Sequence, residues 1–394
     1  MAQPSALRTT PSANGLMGCQ SAQWLHKPVV CYYASWAAYR PGRGQFNVEQ
    51  IDPFLCTHLM YAFFGVNDSG AVTILDPWLD LDSGLGNIRR FNELRNRNPN
   101  LLTMAAVGGA TVDPALFSKI AASATLRGAF ARSARDFCLT HGFNGVDLGW
   151  EFPGLHDGDN ANDKANFVLM LSVLAAELRS HGLLLTAALG ASANIASISY
   201  DIRGIVPHLE FINLMAYDYN GAWNNFTGHN APLFAGPSDQ NDFQRILNVE
   251  HSVNYWLNQG APASKLVLGV PAYGRSFTLS NPAVNGLRAP SVGPGLPGPY
   301  VQQYGYMAYH EICGHFLAVS NWQRVWEAVQ RIPYGFLDRQ WIGYDDRQSI
   351  LEKCNFANSR QLGGMMMWAI DMDDFRGYCG TSYNLLKTIN NCLL

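Results

Sequence analysis

The chain has 394 residues, of which 48% are hydrophobic and 14% charged, so it is long enough for one large barrel or for two domains. The formal net charge is −3 and no block of like charge occurs, which argues against nucleic acid and anionic membrane as partners. No apolar run is long enough to span a bilayer, which excludes a membrane-spanning protein.

The N-terminal segment, residues 1–27, is polar, and we expect it to be flexible. It lacks the charged start and the apolar stretch of a signal peptide. The 8 cysteines, in contrast, favour secretion, because a cytosolic enzyme of this size needs fewer. Two acceptor motifs for N-linked sugars, N-x-S/T, occur at Asn67 and Asn225. On balance we expect an extracellular, secreted protein.

Short apolar runs recur along the chain, each followed by a loop containing Gly or Asp and then by a helical stretch. The runs are Val29–Tyr33, Thr57–Phe63, Leu101–Val107, Gly145–Trp150, Leu183–Leu189, Phe211–Ala216, Leu266–Val270 and Met365–Trp368. Each is short enough to be a strand that is buried on both faces. Between two of them, the apolar residues of Phe167–Arg179 recur at helical spacing.

Eight strands that alternate with helices predict an α/β fold with a parallel sheet, and the simplest arrangement is a closed (β/α)8 TIM barrel. An open, doubly wound sheet is the alternative. The absence of G-x-G-x-x-G after the first strand weakens that alternative.

One stretch breaks the alternation. Residues 276–345 are rich in Gly, Pro and Tyr, and the run APSVGPGLPGPY at Ala289–Tyr300 cannot form a helix interior. We expect a small α+β insertion domain here, between strand 7 and helix 7. The barrel domain would then comprise residues 28–275 and 346–394.

The segment FNGVDLGWEFPG at Phe143–Gly154 carries the candidate chemistry. Side chains two apart on a strand share a face, so Asp147, Gly149 and Glu151 would point to the barrel interior, with Asn144 near the start of the strand. Position 151 would lie at the C-terminal mouth, where barrel enzymes place their active sites. An inward-pointing row of acids is unusual, because buried carboxylates are costly unless they are paired.

The spacing of Asp147 and Glu151 argues against an ordinary two-carboxylate glycosidase. Four strand residues span roughly 13 Å, whereas inverting pairs need about 6.5–9.5 Å and retaining pairs about 5–5.5 Å. A substrate-assisted mechanism removes this difficulty, since the N-acetyl oxygen of the sugar is the nucleophile. Such a mechanism needs one protonated carboxylic acid and a neighbour that orients the acetamido group.

The same segment resembles the D-G-x-D-x-D-W-E signature of family 18 glycoside hydrolases, the chitinases and chitinase-like lectins of the insect and animal type. Further segments match that family in order, from Val29 onward. They are CYYASWAAYRPG at Cys31–Gly42, CTHLMYAFF at Cys56–Phe64, MAYDYNGAW at Met215–Trp223, PAYGRSF at Pro271–Phe277, YMAYHEIC at Tyr306–Cys313, WIGYDD at Trp341–Asp346 and GGMMMWAIDMDD at Gly363–Asp374. The fold and the insertion also agree with that family.

The resemblance implies roles for the matched residues. Glu151 would be the general acid on the glycosidic oxygen, on the strand that carries Asp147, and Tyr217 would stabilise the oxazolinium intermediate. Met215 and Asp218 would shape and polarise the acetamido pocket. Trp368 would form the floor under the sugar. The cleft would also be lined by Tyr32, Trp36, Phe63 and Trp223. The ligand would be chitin or a chito-oligosaccharide, bound by a monomer.

The sequence departs from the family pattern at three places that we expect to lie in the site. Gly149 replaces the third acid of the motif, and Asn144 replaces the first. In the loop AVGGA, Ala106 replaces a Ser and Ala110 replaces a Trp that normally forms a platform further out in the cleft.

Gly149 is the departure with the largest expected effect. The acid that the family has there helps the neighbouring Glu to carry a proton, because two adjacent carboxylates resist ionising together. It also hydrogen-bonds the acetamido N–H. With Gly149, we expect Glu151 to ionise more easily near neutral pH, and loss of such a partner costs about 10²–10⁴-fold in rate.

The resemblance also implies two disulfides, between Cys31 and Cys56 and between Cys313 and Cys379. Cys138 lies in a helical segment and is expected to be a buried free thiol, whereas Cys19, Cys354 and Cys392 have no assigned partner. No zinc-type spacing occurs, and His58, His229 and His310 are scattered, which favours structural roles. Neither a metal nor an organic cofactor is expected.

Two functions compete at this point. The first is a protein that binds N-acetylglucosamine oligomers, with hydrolysis weakened or lost. The second is a working, slow, retaining endochitinase that uses Glu151 as its acid. A signalling role on the same scaffold has no residue that argues for it, and a barrel enzyme of different chemistry would need another acid–base pair.

Overall fold

The computed structural model describes residues 27–155, 161–318 and 321–393. The prediction for the N-terminal segment therefore falls, except for residue 27, outside the described residues. Within these residues, no helix combines the length and the apolar character needed to cross a membrane.

Eight parallel strands form a closed barrel. They are β1 (Val29–Ala34), β2 (His58–Val66), β4 (Leu102–Gly108), β5 (Gly145–Gly149), β6 (Leu184–Gly190), β7 (Ile212–Met215), β8 (Leu266–Pro271) and β15 (Gly364–Trp368). Each pairs with the next in this order, β15 pairs with β1, and the pairing of β1 with β2 closes the ring. This confirms the predicted barrel, and the open sheet is wrong. A short strand, β3 (Val72–Ile74), runs antiparallel to β2 on the outside.

The strands are buried because helices cover the outer face of the sheet while side chains fill its interior. The helices are α1 (Pro77–Asp80), α2 (Asn87–Glu93), α3 (Pro114–Ala122), α4 (Ala124–His141), α5 (Asp163–Arg179), α6 (Ala193–Ser199), α7 (Ile202–Ile205), α8 (Asp242–Arg245), α9 (Val249–Asn258), α10 (Tyr309–Glu311), α11 (Arg347–Ser359) and α12 (Asn384–Cys392). In α5 the face predicted from helical spacing is the buried one, with Phe167, Leu171 and Leu174 fully enclosed.

A second sheet follows β8 and precedes α11. Its strands are β9 (Tyr273–Leu279), β10 (Ser291–Pro294), β11 (Tyr306–Ala308), β12 (Gln323–Glu327), β13 (Ile332–Leu337) and β14 (Gln340–Gly343). They pair antiparallel around a small core that contains Phe277 and Trp341. The sheet occupies the place expected for the insertion, and the exact domain boundaries at 275/276 and 345/346 stay a prediction.

Within the described residues, three disulfides join distant parts of the chain. Cys31 is bonded to Cys56, and Cys313 to Cys379. A third disulfide joins Cys354 of α11 to Cys392 of α12, which the sequence left unassigned. Cys138 is a buried free thiol in α4, and Cys19 lies outside the described residues.

Candidate active site

The carboxyl ends of the barrel strands open into a cleft of about 820 Å³. It is the place where a (β/α)8 barrel presents its loops and their chemistry. The structure brings together on this cleft all ten side chains for which the sequence predicted a site role: Tyr32, Trp36, Phe63, Asp147, Glu151, Met215, Tyr217, Asp218, Trp223 and Trp368. Their individual roles stay predictions.

Asp147 lies at the bottom of the cleft and is held entirely by barrel side chains. The Tyr32 hydroxyl donates to Oδ2 at 2.5 Å, while Thr186 Oγ1 and Asn213 Nδ2 donate to Oδ1 at 2.7 and 3.1 Å. Burial raises the pKa of Asp147, and these three hydrogen bonds act in the opposite direction. Both carboxyl oxygens therefore have protein donors, which fixes Asp147 within the barrel interior.

Glu151 follows β5 and stands above Asp147 at the mouth of the barrel. Its carboxyl makes no hydrogen bond to the part of the chain that the structure describes. Burial raises the pKa of Glu151 to about 7, and the negative charge of Asp218 adds to the effect. The expectation that Glu151 ionises more easily with Gly at position 149 than with an acid there stays a prediction, although the enclosure of Glu151 already disfavours its charged form.

Gly149 lies between these two acids and lines the cleft with backbone alone. Its carbonyl oxygen accepts a hydrogen bond from the Gly109 N–H at 2.7 Å, so the loop after β4 closes against the end of β5. A Cβ added at position 149 would lie 3.1 Å from the Gly109 nitrogen. A Cβ at this position is therefore accommodated if the loop moves by a few tenths of an ångström.

Tyr217 and Asp218 follow β7 and face Glu151 from another side of the cleft. Asp218 Oδ1 accepts hydrogen bonds from Arg275 Nε and from the Tyr273 hydroxyl, both at 2.7 Å. The Asp218 N–H donates to Asn230 Oδ1 at 2.9 Å, which holds a backbone with φ of 59°. Burial, then the charges of Asp218 and Glu151, raises the pKa of Tyr217 well above its usual value. Tyr217 therefore keeps its proton and can donate a hydrogen bond.

Aromatic rings pack side by side along one wall of the cleft. The Trp368 ring stacks on Phe63 with centroids 5.5 Å apart and an angle of 17°, and Phe63 stacks in turn on Trp36 at 5.9 Å. Tyr32 contacts Trp368 from below at 5.3 Å. Trp36 remains 42% exposed. The wall therefore offers flat apolar faces on which the apolar faces of a sugar can stack.

The second sheet contributes cleft residues to which the sequence reasoning gave no role. Tyr273 and Arg275 are two apart on β9 and both line the cleft with Tyr306 of β11. The Arg275 guanidinium carbon lies 5.0 Å from the ring centroid of Trp223 and 5.1 Å from that of Tyr306. The period of two within PAYGRSF, in a segment already matched to the family, is the signal that could have found them.

Asn144 does not lie in the cleft, contrary to the expectation. It precedes β5 at the amino end of the barrel, and its Oδ1 accepts hydrogen bonds from Arg95 Nη1 at 3.1 Å and from the Thr103 N–H at 2.9 Å. The reason is the direction of the strand, whose carboxyl end carries the cleft residues. Asn144 therefore replaces an acid in a structural contact at the opposite end of the barrel.

Of the two alanines in the AVGGA segment, only one lies on the cleft surface. Ala106 is buried within β4 beside Asp147 and does not line the cleft, so the expectation for it is wrong. Ala110 is exposed and lines the cleft. The departures that change the cleft surface are therefore those at positions 110 and 149.

The remaining titratable clusters lie elsewhere. Cys313, Asp374 and Cys379 come within metal-ligand distance of one another, but the two sulfurs form a disulfide and offer no thiolate. His58, His229 and His310 are buried away from the cleft surface, and burial lowers their pKa to about 4, about 3 and about 3. Neutral buried imidazoles of this kind act in packing.

Comparison with known proteins places these features in context. The model of the family described as glycosyl hydrolases family 18 matches residues 28–373. Mouse chitotriosidase-1 is 39% identical over 386 residues, which cover 95% of this chain and 80% of that protein. The Group IV chitinase of Ostrinia furnacalis, solved in complex with allosamidin, superposes with a TM-score of 0.90 at 43% identity and covers 93% of this chain and 98% of its own. Human YKL-39 is described as a pseudo-chitinase with retained chitooligosaccharide binding. It superposes with a TM-score of 0.85 at 34% identity, and the match covers 93% of this chain and 99% of the YKL-39 chain.

Proposed function

Because the chain belongs to glycosyl hydrolases family 18, we propose that it binds N-acetylglucosamine oligomers in the cleft around Glu151 and hydrolyses their β-1,4 links weakly or not at all. Binding is supported by the aromatic wall formed by Trp36, Phe63 and Trp368. It is also supported by the related structures that carry allosamidin or are described as retaining chitooligosaccharide binding.

The observation that carries the loss of hydrolysis is the bare backbone at Gly149. A substrate-assisted reaction needs a proton on the glycosidic oxygen and an N-acetyl group whose oxygen is aimed at the anomeric carbon. Glu151 can supply the proton, since burial raises its pKa to about 7. Asp147 does not take the place of a side chain at 149, because Tyr32, Thr186 and Asn213 hold its carboxyl group within the barrel interior. Without an acidic side chain at position 149, we expect the rate of hydrolysis to be about 10²–10⁴-fold lower. This corresponds to an activation barrier that is roughly 3–5 kcal/mol higher.

A slow, retaining chitinase is the second candidate, and the raised pKa of Glu151 favours it. A carboxylic acid that keeps its proton near neutral pH remains a competent general acid. In this case Tyr217, with its retained proton, would steady the N-acetyl oxygen. The three disulfides support an oxidising, extracellular location for either function.

The test compares the parent with Gly149→Asp, Gly149→Ala, and Gly149→Asp combined with Glu151→Gln. We expect Gly149→Asp to hydrolyse a fluorogenic chitobioside about 10²–10⁴-fold faster than the parent. In the double variant, Glu151→Gln should remove that gain. Gly149→Ala is the matched control, because it places the same Cβ against Gly109 without a carboxyl group. Oligomer binding is measured on all four proteins by calorimetry.

Either half of the proposal can fail separately. A parent that already hydrolyses the substrate as fast as Gly149→Asp is a working chitinase, and the weight placed on Gly149 is then wrong. A parent that binds no oligomer by calorimetry contradicts the binding function, whatever its rate.

A further inference from the structure

The loop Asn225–Thr227 carries an acceptor motif for N-linked sugars at the rim of the cleft. Asn225 is exposed, and its side chain has no partner among the described residues. We propose that Asn225 bears an N-linked oligosaccharide and that this glycan covers the Trp223 end of the cleft. The proposal does not rest on the function proposed above.

The compartment in which the chain folds supports the modification. Three disulfides indicate an oxidising environment such as the endoplasmic reticulum lumen, where oligosaccharide donors are also used. The Asn225 amide nitrogen would attack C1 of a polyisoprenyl-diphosphate oligosaccharide. A C–N bond forms, the C–O bond to the diphosphate breaks, the lipid diphosphate leaves and the amide gives up one proton.

The fold also determines when the sugar can be added. Thr227 is fully buried, and its hydroxyl donates to the Gly286 carbonyl at 2.8 Å while it accepts from the Ala289 N–H at 3.0 Å. The motif needs a free hydroxyl at this position for recognition. The sugar must therefore be transferred before residues 286–289 pack against the loop, that is, while the chain is still being made or is still unfolded.

The position of Asn225 brings the first sugars to the cleft. Trp223 and Asn224 line the cleft, and Trp223 is 60% exposed. Two residues span at most about 7 Å of chain, so the Cα atom of Asn225 lies within that distance of the Trp223 Cα atom. The Asn225 carbonyl accepts a hydrogen bond from the Ser291 N–H at 2.9 Å, which fixes the loop and hence the attachment point.

The second motif provides a matched control. Asn67 is also exposed, in the turn between β2 and β3. Its neighbour Asp68 forms an ion pair with Lys119 of α3, and Gly70 packs on Leu126 of α4. A glycan on Asn67 would therefore start against α3 and α4 and not beside Trp223.

The experiment uses the full chain secreted from eukaryotic cells. Peptide mapping after enzymatic deglycosylation in ¹⁸O-water identifies each modified Asn as labelled Asp, and we expect Asn225 to be occupied. Hydroxyl-radical footprinting then compares the parent with Asn225→Gln and Asn67→Gln. We expect oxidation of Trp223 to rise about two- to threefold in Asn225→Gln alone. Trp78 of α1, which is 62% exposed, serves as the internal reference that does not change.

Each outcome decides one part of the proposal. An unmodified Asn225 in the secreted protein overturns it. An occupied Asn225 whose removal leaves Trp223 equally oxidised, or a Trp223 signal that also rises in Asn67→Gln, overturns the covering of the cleft. If the glycan covers Trp223 and the protein binds chito-oligosaccharides, Asn225→Gln should bind chitohexaose about threefold more tightly than the parent. If no form binds any oligomer, the proposed function fails, while mapping and footprinting still decide this proposal.

Discussion

At the scale of single residues, the central feature is Glu151, a largely enclosed carboxylic acid that makes no hydrogen bond to the residues that the structure describes. Glu151 keeps its proton through burial and through the charge of Asp218, which is itself held by Arg275 and Tyr273. Gly149 removes a side chain from the site but does not remove the cause of the raised pKa. In the proposed reaction, proton supply and orientation of the N-acetyl group would be carried by different residues, and we expect substitution to separate the two effects.

The first prediction concerns the titration of Glu151. In the folded protein its pKa is raised to about 7, so the acid form predominates below that pH and is lost as pH rises through it. We expect a carboxyl carbon signal in ¹³C-Glu-labelled protein to titrate with a midpoint near 7. Residual hydrolysis, which needs the acid form, should fall over the same range. Glu151→Gln removes this signal and so assigns it.

The contribution of Asp218 can be measured with the same titration. Asp218→Asn removes a negative charge and leaves Arg275 unneutralised, and both changes favour ionisation of Glu151. The midpoint should therefore move to lower pH than in the parent. A Glu151 that titrates in the ordinary range for Glu in the parent would show that water reaches the carboxyl and that burial does not raise its pKa.

At the scale of secondary-structure elements, the C-terminal helices are fastened to each other by a covalent link. The disulfide between Cys354 and Cys392 joins α11 to α12 across a sequence separation of 38. The Asn358 Nδ2 also donates to the Cys392 carbonyl at 2.9 Å. The link therefore restrains the last helix against α11.

Replacing both Cys354 and Cys392 with Ala should lower the free energy of unfolding by about 3–4 kcal/mol, because the unfolded chain gains the freedom of an open loop of this length. Denaturation under non-reducing conditions measures the difference. Cys138→Ala is the control, since it trims one buried thiol without a cross-link and should cost about 1 kcal/mol. Equal losses in the two variants would show that the link contributes nothing beyond packing.

At the scale of the whole molecule, the cleft is built from two units. The barrel supplies Glu151 and the aromatic wall, while the second sheet supplies Tyr273 and Arg275. Ala110, in the loop after β4, lines the cleft with a methyl group alone. The expected consequence is a weaker grip on long oligomers than on short ones.

Ala110→Trp should restore a platform there, because position 110 is exposed and lines the cleft. An added aromatic contact is worth about 0.5–1.5 kcal/mol, or roughly two- to tenfold in affinity. Calorimetry should show this gain for chitohexaose and no gain for chitobiose. Ala110→Leu is the control for apolar area without a flat ring. A gain that is equal for both oligomers, or equal for Leu and Trp, would contradict the platform.

The sequence by itself determined the barrel and ten of the residues that line its cleft. Parallel strands that are buried on both faces are continuous apolar runs, so all eight barrel strands could be predicted from local composition. The period of two along a strand placed Asp147, Gly149 and Glu151 on one face. The order of matched segments identified the ten cleft residues, although most are far apart in the chain.

Only the tertiary structure decided the energetics and the outer parts of the site. The pKa of Glu151 depends on what encloses it, and the place of Asn144 at the far end of the barrel depends on the direction of β5. Likewise, the contacts of Arg275 with Asp218 and Trp223 join two sheets that no local pattern brings together. Burial and long-range contact are properties of the packed chain, so they could be known only once the barrel and the second sheet had closed around the cleft.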